Sequence, residues 1–470
     1  MRNIFLCSLL FFTSVYAEIL TYGNISTSKP KTDINLALTH IDLIRLLAKY
    51  NIDMQQIHIR YLNAVNHMQT EKNQLSPIYK ANISLQKDEN IDSDTPNINL
   101  TSNWHNSYGG NLSIGIINGK DFNGTERWLP SVSYQQPLMR HFGKTVNTAG
   151  LKNAENQVKI INIEAEKTLS DLVVKLEELL MRYNITEKKI SYTNKMLTFN
   201  KKQIFLRRKK IEAGEIATST LLTAELNHQK MKLRILDAKK DRSNIINQIS
   251  NLVGVDLYHA KIDSKPISLP ANISSWSFEK IQALAKKHAY DVKVQKINHE
   301  NFNLDLEVAK NANDIDLNLY LKTESWQKRT QIGLNVDFPI NNPSSNESIQ
   351  RIKNQQRQSL LSQSTFMHNL NNRIQRFQDA VKMSEQTLEF SEQSRDNAKK
   401  IYDIYEKKFS AQLVSSLELE HAFLDWYDSG LTYIEKTQQL SKSKLDLLNT
   451  IGYLLPELEI ELKPYAESIH

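Results

Sequence analysis

Apolar side chains recur along this chain in two rhythms, one near 3.6 residues and one of two, and the order of the rhythms is itself repeated. The helical rhythm comes first. Residues 36–49 and 53–74 read as two consecutive helices, broken around Tyr50-Asn51-Ile52-Asp53, with Asp33 as a candidate N-cap and Pro77 as the stop. From Pro77 the period becomes two. Tyr79, Ala81, Ile83 and Leu85 alternate with Lys80, Asn82, Ser84 and Gln86; Leu112, Ile114 and Ile116 alternate with Asn111, Ser113 and Gly115; residues 132–137 close the region. The polar clusters at 88–96 and 118–125 read as turns between these strands.

The helical rhythm then returns over a much longer stretch. From Thr145 to Ile211 there is no proline, and Gly150 is the one glycine. Leu169, Leu172, Val173, Leu176, Leu179, Leu180 and Tyr183 fall at steps of three and four and line one face. At ~1.5 Å per residue such an arm is about 100 Å long, so it needs an equally long neighbour to bury its stripe. Gly214 supplies the backbone freedom for a reversal, residues 215–220 offer caps for a return arm, and Gly254 reads as that arm's C-cap.

After a linker holding Pro266 and Pro270, the whole plan recurs. Residues 277–287, a break at 289–291 and a helix to Ala312 repeat the opening pair. Alternation resumes at Ile315, Leu317, Leu319 and Leu321 and returns through Ile332, Leu334, Val336 and Phe338 to Pro339. A second long helix runs from about Ser348 to Phe409 with Leu370, Ile374, Phe377, Val381 and Leu388 on one face; Gln412 then stands in the place of Gly214, and Gly452 in that of Gly254. The offset is 238 between Asp53 and Asp291 and falls to 198 between Gly254 and Gly452, mostly within the β region. One duplication with a longer first β-hairpin accounts for this, and it places the repeats at 18–254 and 277–452, with a linker at 255–276 and a tail at 453–470.

Strands of roughly 9–11 residues are long enough to cross a bilayer in a barrel. In the second hairpin one face is apolar and the other carries Asp314, Asp316, Asn318, Asn335 and Asp337. Carboxylates on that face cannot point at lipid, so the face is expected to line a water-filled lumen. Two strands per half make four per chain, fewer than the about eight that close a barrel, and hydrocarbon does not tolerate open sheet edges. The barrel must then be shared, and three copies of four strands give twelve.

Composition removes other classes. Thirteen glycines and 11 prolines are few for loop-rich compact folds, and beyond the N-terminus no run approaches the ~20 apolar residues of a spanning helix. Arg2, the apolar run 4–12 and Val15-Tyr16-Ala17 read as an export signal covering 1–17. Cleavage there removes Cys7, the single cysteine, and with it any disulfide or thiolate metal site; Glu18 stands where a lipidated cysteine would follow. A formal charge of +7 over 470 residues is too mild to indicate nucleic acid. Neither a Gly-rich phosphate loop, a His-Glu-x-x-His helix nor a Gly-x-Ser-x-Gly elbow occurs, and His58 and His67 are too far apart on one helix to share a metal. No enzyme, cofactor or metal is expected. Arg207-Arg208-Lys209-Lys210 reads as a solvated face beside the first reversal, and the triplets beginning at Asn82, Asn111 and Asn272 as chance glycan-like matches.

Tyr134-Gln135-Gln136-Pro137-Leu138, the stretch 211–222 with Ala224-Glu225, and its echo at 405–420 resemble the TolC-type outer-membrane efflux family. The similarity covers nearly the whole mature chain, and its specific element is the doubled order of helix pair, strand pair and long helical hairpin. It implies a mainly α protein with a membrane β-barrel, assembled as a homotrimeric channel in the lipid of a Gram-negative outer membrane. A helical tunnel would cross the periplasm, with an equatorial band from the linker and the tail. It also implies a periplasmic adaptor and an inner-membrane pump as partners, in efflux or type I secretion, with Gly214 and Gln412 at the adaptor-docking tip. In the family the closed mouth resembles an iris, held by an aspartate on the first tip bonded to an arginine and a tyrosine on the second. Two carboxylates narrow the lumen below it. The matching positions here are Thr220, Val414 and Phe409, and for the lower pair Glu418 and His421. The resemblance thus implies that the charged lock is missing, that closure rests on Phe409 and Val414, and that three copies of Glu418 ring the lumen. The alternative reading is an exported coiled-coil structural or adhesive protein; the carboxylate-bearing strand face and the paired amphipathic hairpins favour the channel.

Overall fold

The computed structural model describes residues 37–86, 95–120, 126–258, 260–262, 269–324, 329–338, 343–411, 413–460 and 462. The export signal, Cys7, Asp33, Pro339, Gln412 and the end of the tail lie outside the described residues. In chain order the elements are β1 (Ala37–Leu38), α1 (His40–Tyr50), α2 (Ile52–Asn73), β2 (Ile78–Gln86), β3 (Thr95–His105), β4 (Asn111–Lys120), β5 (Glu126–Pro137), the one-turn α3 (Lys144–Asn147), α4 (Ala149–Glu212), α5 (Thr218–Val253) and β6 (Lys261–Ile262). The second half contains a 3-10 turn (Ala271–Ser275), α6 (Phe278–His288), α7 (Tyr290–Asn311), β7 (Asp316–Glu324), β8 (Arg329–Asp337), α8 (Pro343–Ser410), α9 (Ser416–Thr450) and the one-turn α10 (Leu454–Glu457). They form two compact units, one made of 1–56, 165–290 and 369–470 and the other of 57–164 and 291–368, so each repeat contributes to both.

The first unit is helical. Thr39 and Asp42 close a capping box that starts α1. Asn51, extended at ψ 137°, breaks the helix, and its Oδ1 accepts from the backbone N–H groups of Asp53 and Met54. Its Nδ2 donates to the Leu252 carbonyl at the end of α5. A different contact, glycine against a helix-end carbonyl, recurs in each half. A Cβ at Gly254 would lie 2.4 Å from the Tyr50 carbonyl oxygen, and one at Gly452 would lie 2.4 Å from that of His288. Both glycines have positive φ, +82° and +70°, so each return arm ends in a left-handed cap against the last turn of the short helix that opens its half. Of the stripe on α4, Leu169, Leu172, Val173, Leu176 and Leu180 are fully buried, and on α8 so are Leu370, Ile374 and Val381. Glu177 is buried on α4 with its Oε1 2.7 Å from His40 Nδ1.

The second unit carries one antiparallel sheet of six strands, in the order β2-β3-β4-β5-β7-β8. This corrects the expected count of four. The first repeat holds two hairpins rather than one long one, so its extra length is an inserted pair of strands. The strand missed by sequence pattern is β3, which opens with Thr95-Pro96 in a stretch read as a turn. Its alternation is blurred by Asn99 and Asn103 on one side and by Ser102 on the other. Those are turn-forming residue types, yet here they are strand residues because both neighbours satisfy their backbone.

Candidate functional site

The sheet has two chemically opposite faces. Register places Tyr79, Ala81 and Ile83 of β2 beside Ile98, Leu100, Ser102 and Trp104 of β3, then Leu112, Ile114 and Ile116 of β4. The same face continues through Trp128, Pro130, Val132 and Tyr134, then Leu317, Leu319 and Leu321, to Ile332, Leu334 and Val336. Most of its large side chains are exposed, with Tyr79 at 77% and Ile332 at 70% on the two edge strands, while Leu112, Val132, Tyr134, Leu317 and Leu321 are half-buried. The other face carries Lys80 and Asn82; Asn99, Thr101, Asn103 and His105; Asn111, Ser113 and Gly115; Ser131, Ser133 and Gln135; and Lys322 and Gln331. Here also lie four of the five residues singled out from the sequence; the fifth, Asp314, precedes β7. Asp316 stands directly opposite Asp337, and Asn318 opposite Asn335. Each amide donates to the carboxylate on its own strand, Asn318 to Asp316 and Asn335 to Asp337. The sheet thus presents an exposed apolar face on one side and an amide- and carboxylate-bearing face on the other.

The two hairpin tips lie in the helical unit. At the first, the N–H of Gly214 donates to the Ile211 carbonyl and that of Glu215 to Lys210, closing the end of α4 with Gly214 at φ +73°. Nothing lies within 4 Å of a Cβ built there, so this glycine is required by conformation alone. At the second tip Gln412 is outside the described residues, and α9 begins at the N-cap Ser415. Glu418 is the N3 partner of a capping box. Its N–H donates to Ser415 Oγ and its carboxylate accepts from the Ser415 N–H at 2.7 Å. That backbone donor, and then the Ser415 hydroxyl, hold the exposed Glu418 carboxyl below the usual carboxylate range. His421 is exposed on the same helix, Val414 is half-buried, and Phe409 packs on an aromatic cluster. Leu222 and Leu226 of the first hairpin and Leu413 and Leu417 of the second are exposed apolar residues near the reversals.

Between the hairpins the structure places a charged link at other positions than Thr220, Phe409 and Val414. Arg207 was read as one of four solvated cations; its side chain is 9% exposed, and that of its partner Glu420 is 8% exposed. Arg207 donates to the Thr220 carbonyl and to Ser416 Oγ, both at 3.1 Å, and its guanidinium lies 3.6 Å from Glu420 Oε2. Asn227 Nδ2 donates to Glu420 Oε1 at 3.0 Å. Five residues from α4, α5 and α9 thus share one network around the buried Arg207–Glu420 pair, with Thr220 serving through its backbone. Arg208 instead pairs with Glu225 in solvent, as its reading implied.

Farther from the reversals, Phe199 stacks on Phe423 with ring centres 5.3 Å apart, and Tyr402 stacks on Trp426 at 5.3 Å. Tyr192 meets Trp426 and Tyr427 edge-on, and Lys399 Nζ lies 4.7 Å over the Trp426 ring. Met196, Met231 and Leu419 complete this cluster, which joins α4 and α5 to α8 and α9. Sequence reasoning missed it. The available signal was the run Leu419, Phe423 and Trp426 at steps of four and three, with Tyr427 beside it, facing Tyr192, Met196 and Phe199 at the same steps.

Among the described residues no group of His, Asp and Glu is placed to hold a metal, and no helix is long and apolar enough to cross a membrane. The sequence matches no family model and no curated protein. Its fold does match solved structures. The outer membrane protein VceC of Vibrio cholerae aligns with a TM-score of 0.62 at 12% identity, over 88% of this chain and 96% of that one. The CmeC outer membrane channel of Campylobacter jejuni aligns at 0.61 and 13% identity, over 92% and 91%. The open-state MtrE outer membrane channel of Neisseria gonorrhoeae aligns at 0.59 and 13% identity, over 88% and 89%. Nearly the whole chain therefore has the fold of bacterial outer-membrane channels.

Proposed function

We propose, from a fold shared with outer-membrane channels, that this protein is itself a channel of the outer membrane of a Gram-negative bacterium, assembled from three copies. The sheets close into a barrel, and the helical hairpins form a tunnel on the periplasmic side. A periplasmic adaptor and an inner-membrane pump deliver the cargo, either small molecules or a secreted polypeptide. The observation that carries the reading is the six-strand sheet with its exposed apolar face and hydrophilic reverse. Such a sheet leaves two open edges, which hydrocarbon excludes and which copies of the chain can satisfy. The face bearing Asp316, Asn318, Asn335 and Asp337 lines the lumen. The exposed leucines beside Gly214 and Gln412 are the adaptor surface, and Phe409, Val414 and the Arg207–Glu420 link govern closure of the mouth.

No catalytic step is assigned to any residue; the protein's work is to provide a path. Purified protein added to a planar lipid bilayer should insert and conduct ions in discrete steps, and should run as a trimer in detergent by light scattering. A water-soluble monomer, or protein that inserts without conducting, would overturn the reading and favour a coiled-coil surface protein.

A further inference from the structure

The inserted strands β3 and β4 have no counterpart in the second repeat, where β7 passes directly to β8. Such an insertion can sit outside a membrane as a decorated loop, fold into a lumen as a plug, or form part of the wall. Resting on the channel reading, we infer that it is wall: every copy places six strands in the bilayer, and three copies close an eighteen-strand barrel.

Four observations point the same way. First, β3 and β4 are 11 and 10 residues long, as long as a bilayer-crossing strand, and the β4–β5 register runs unbroken from Asn111↔Gln135 to Lys120↔Glu126. Second, the apolar face crosses the insertion without interruption, since Leu100 and Ile116 pair directly and join Ala81 on one side to Pro130 on the other. Third, Tyr79, Trp104 and Tyr134 gather at one end of that face, through the pairs Trp104↔Leu112 and Leu112↔Tyr134, while Trp128 lies toward the other end of β5. Aromatic residues at both margins of an apolar band are what a bilayer interface selects, and one of these, Trp104, belongs to the insertion.

Fourth, the turn of the inserted hairpin is docked where β5 hands over to the helices. Asn106 Oδ1 accepts from the N–H groups of Tyr108 and Gly110, and Gly109 takes φ +94°. A Cβ on Gly109 would stand 2.4 Å from the His141 carbonyl oxygen. The Tyr108 carbonyl accepts from Gln136 Nε2 at 3.3 Å, and the Tyr108 and Phe142 rings are 6.2 Å apart. The insertion therefore starts at the same level as the strands around it.

The consequence is pore width. Barrel diameter grows roughly linearly with strand number, so eighteen strands give a lumen about 1.5 times as wide as the twelve expected from two strands per repeat. The added wall is uncharged over Asn99, Thr101, Asn103, Ser113 and Gly115, in contrast to Asp316, Lys322 and Asp337 on β7 and β8. The widened passage, amide- and hydroxyl-lined at Asn99, Thr101, Asn103 and Ser113, suits bulky hydrophilic solutes.

Spin labels separate the arrangements. In a Cys7→Ser background, single variants Leu100→Cys, Ile114→Cys, Asn99→Cys, Ser113→Cys and Leu319→Cys are labelled and reconstituted in lipid. Accessibility to oxygen and to a water-soluble nickel complex is then read at each site. Labels at Leu100 and Ile114 should prefer oxygen as strongly as the label at Leu319, while those at Asn99 and Ser113 should prefer nickel. Aqueous readings at Leu100 and Ile114 with a lipid reading at Leu319 would overturn the inserted wall and leave the channel standing. An aqueous reading at Leu319 as well would overturn the channel reading itself. Should a variant fail to assemble, electron micrographs of the unlabelled channel viewed down its axis decide the matter: eighteen strands support the inference, and twelve in a trimer overturn it.

Discussion

The sheet and the hairpin cluster use the same kinds of side chain in opposite ways. In the cluster Phe423, Tyr402 and Tyr427 are buried among other rings, whereas on the sheet Tyr79, Ile83, Ile332 and Leu334 are among the most exposed apolar residues of the chain. Polar groups invert with them. Arg207 and Glu420 are enclosed at the tips, and Lys80, Asn335 and Asp337 are on the sheet's open reverse. A side chain's preference is set by the solvent it meets, and the proposed channel would turn this exposed apolar face toward lipid.

Truncation should separate the regions first. Phe423→Ala removes a ring with partners on three sides and should destabilise the helical unit by about 3–5 kcal/mol, read as a large fall in thermal midpoint. Ile332→Ala on the sheet should leave that midpoint nearly unchanged. Comparable losses at both sites would erase the distinction. Glu420→Ala strands Arg207 in a buried site and should cost about 3–5 kcal/mol, with much of the loss recovered when Arg207→Met is added. No recovery in the double variant would show that the two residues act separately.

Charge on the sheet should depend on the face. Leu334→Arg or Leu319→Arg puts a cation against lipid at about 2–4 kcal/mol per copy and should deplete assembled protein from the membrane. Asn335→Arg should assemble and alter only ion selectivity; equal behaviour of the two faces would refute their assignment. At the first tip the cost is conformational. Gly214→Ala meets no steric neighbour and should lose about 1–2 kcal/mol for its left-handed backbone, with export retained. Gly214→Pro, which also deletes the N–H donated to Ile211, should abolish export while the barrel remains inserted. Full export by the proline variant would show that the tip is not the adaptor contact.

The smallest effect is expected at Glu418. Its carboxyl is held below its unfolded value, so the stabilisation it brings to α9 is present above the ordinary carboxylate range and is lost as pH falls through the lowered value. Amide exchange in the first turn of α9 should accelerate only under acid conditions. Glu418→Gln keeps a capping partner but removes the charge, so it should flatten that pH response. It should also weaken block by multivalent cations if three copies ring the lumen. Unchanged block would sink the ring and leave the cap intact.

What could be read from the chain alone was whatever has a local period. The two helix pairs, the long hairpins, the glycines at 214, 254 and 452 and the alternation of β7 and β8 each follow from the geometry of a single element, and the doubling made them mutually consistent. The placement of Asp316, Asn318, Asn335 and Asp337 on one face was legible for the same reason. Three things were not. β3 carries turn-forming residues, and only pairing with both β2 and β4 makes it a strand. Arg207 sits in a run of four cations whose average character is solvated, and its burial depends on Ser416 and Glu420, 209 and 213 positions away. The aromatic cluster needs rings from α4, α8 and α9 to converge. Periodicity is a property of one segment, whereas partners far apart in sequence are chosen only when the chain packs, so strand count and tip network belong to the tertiary structure.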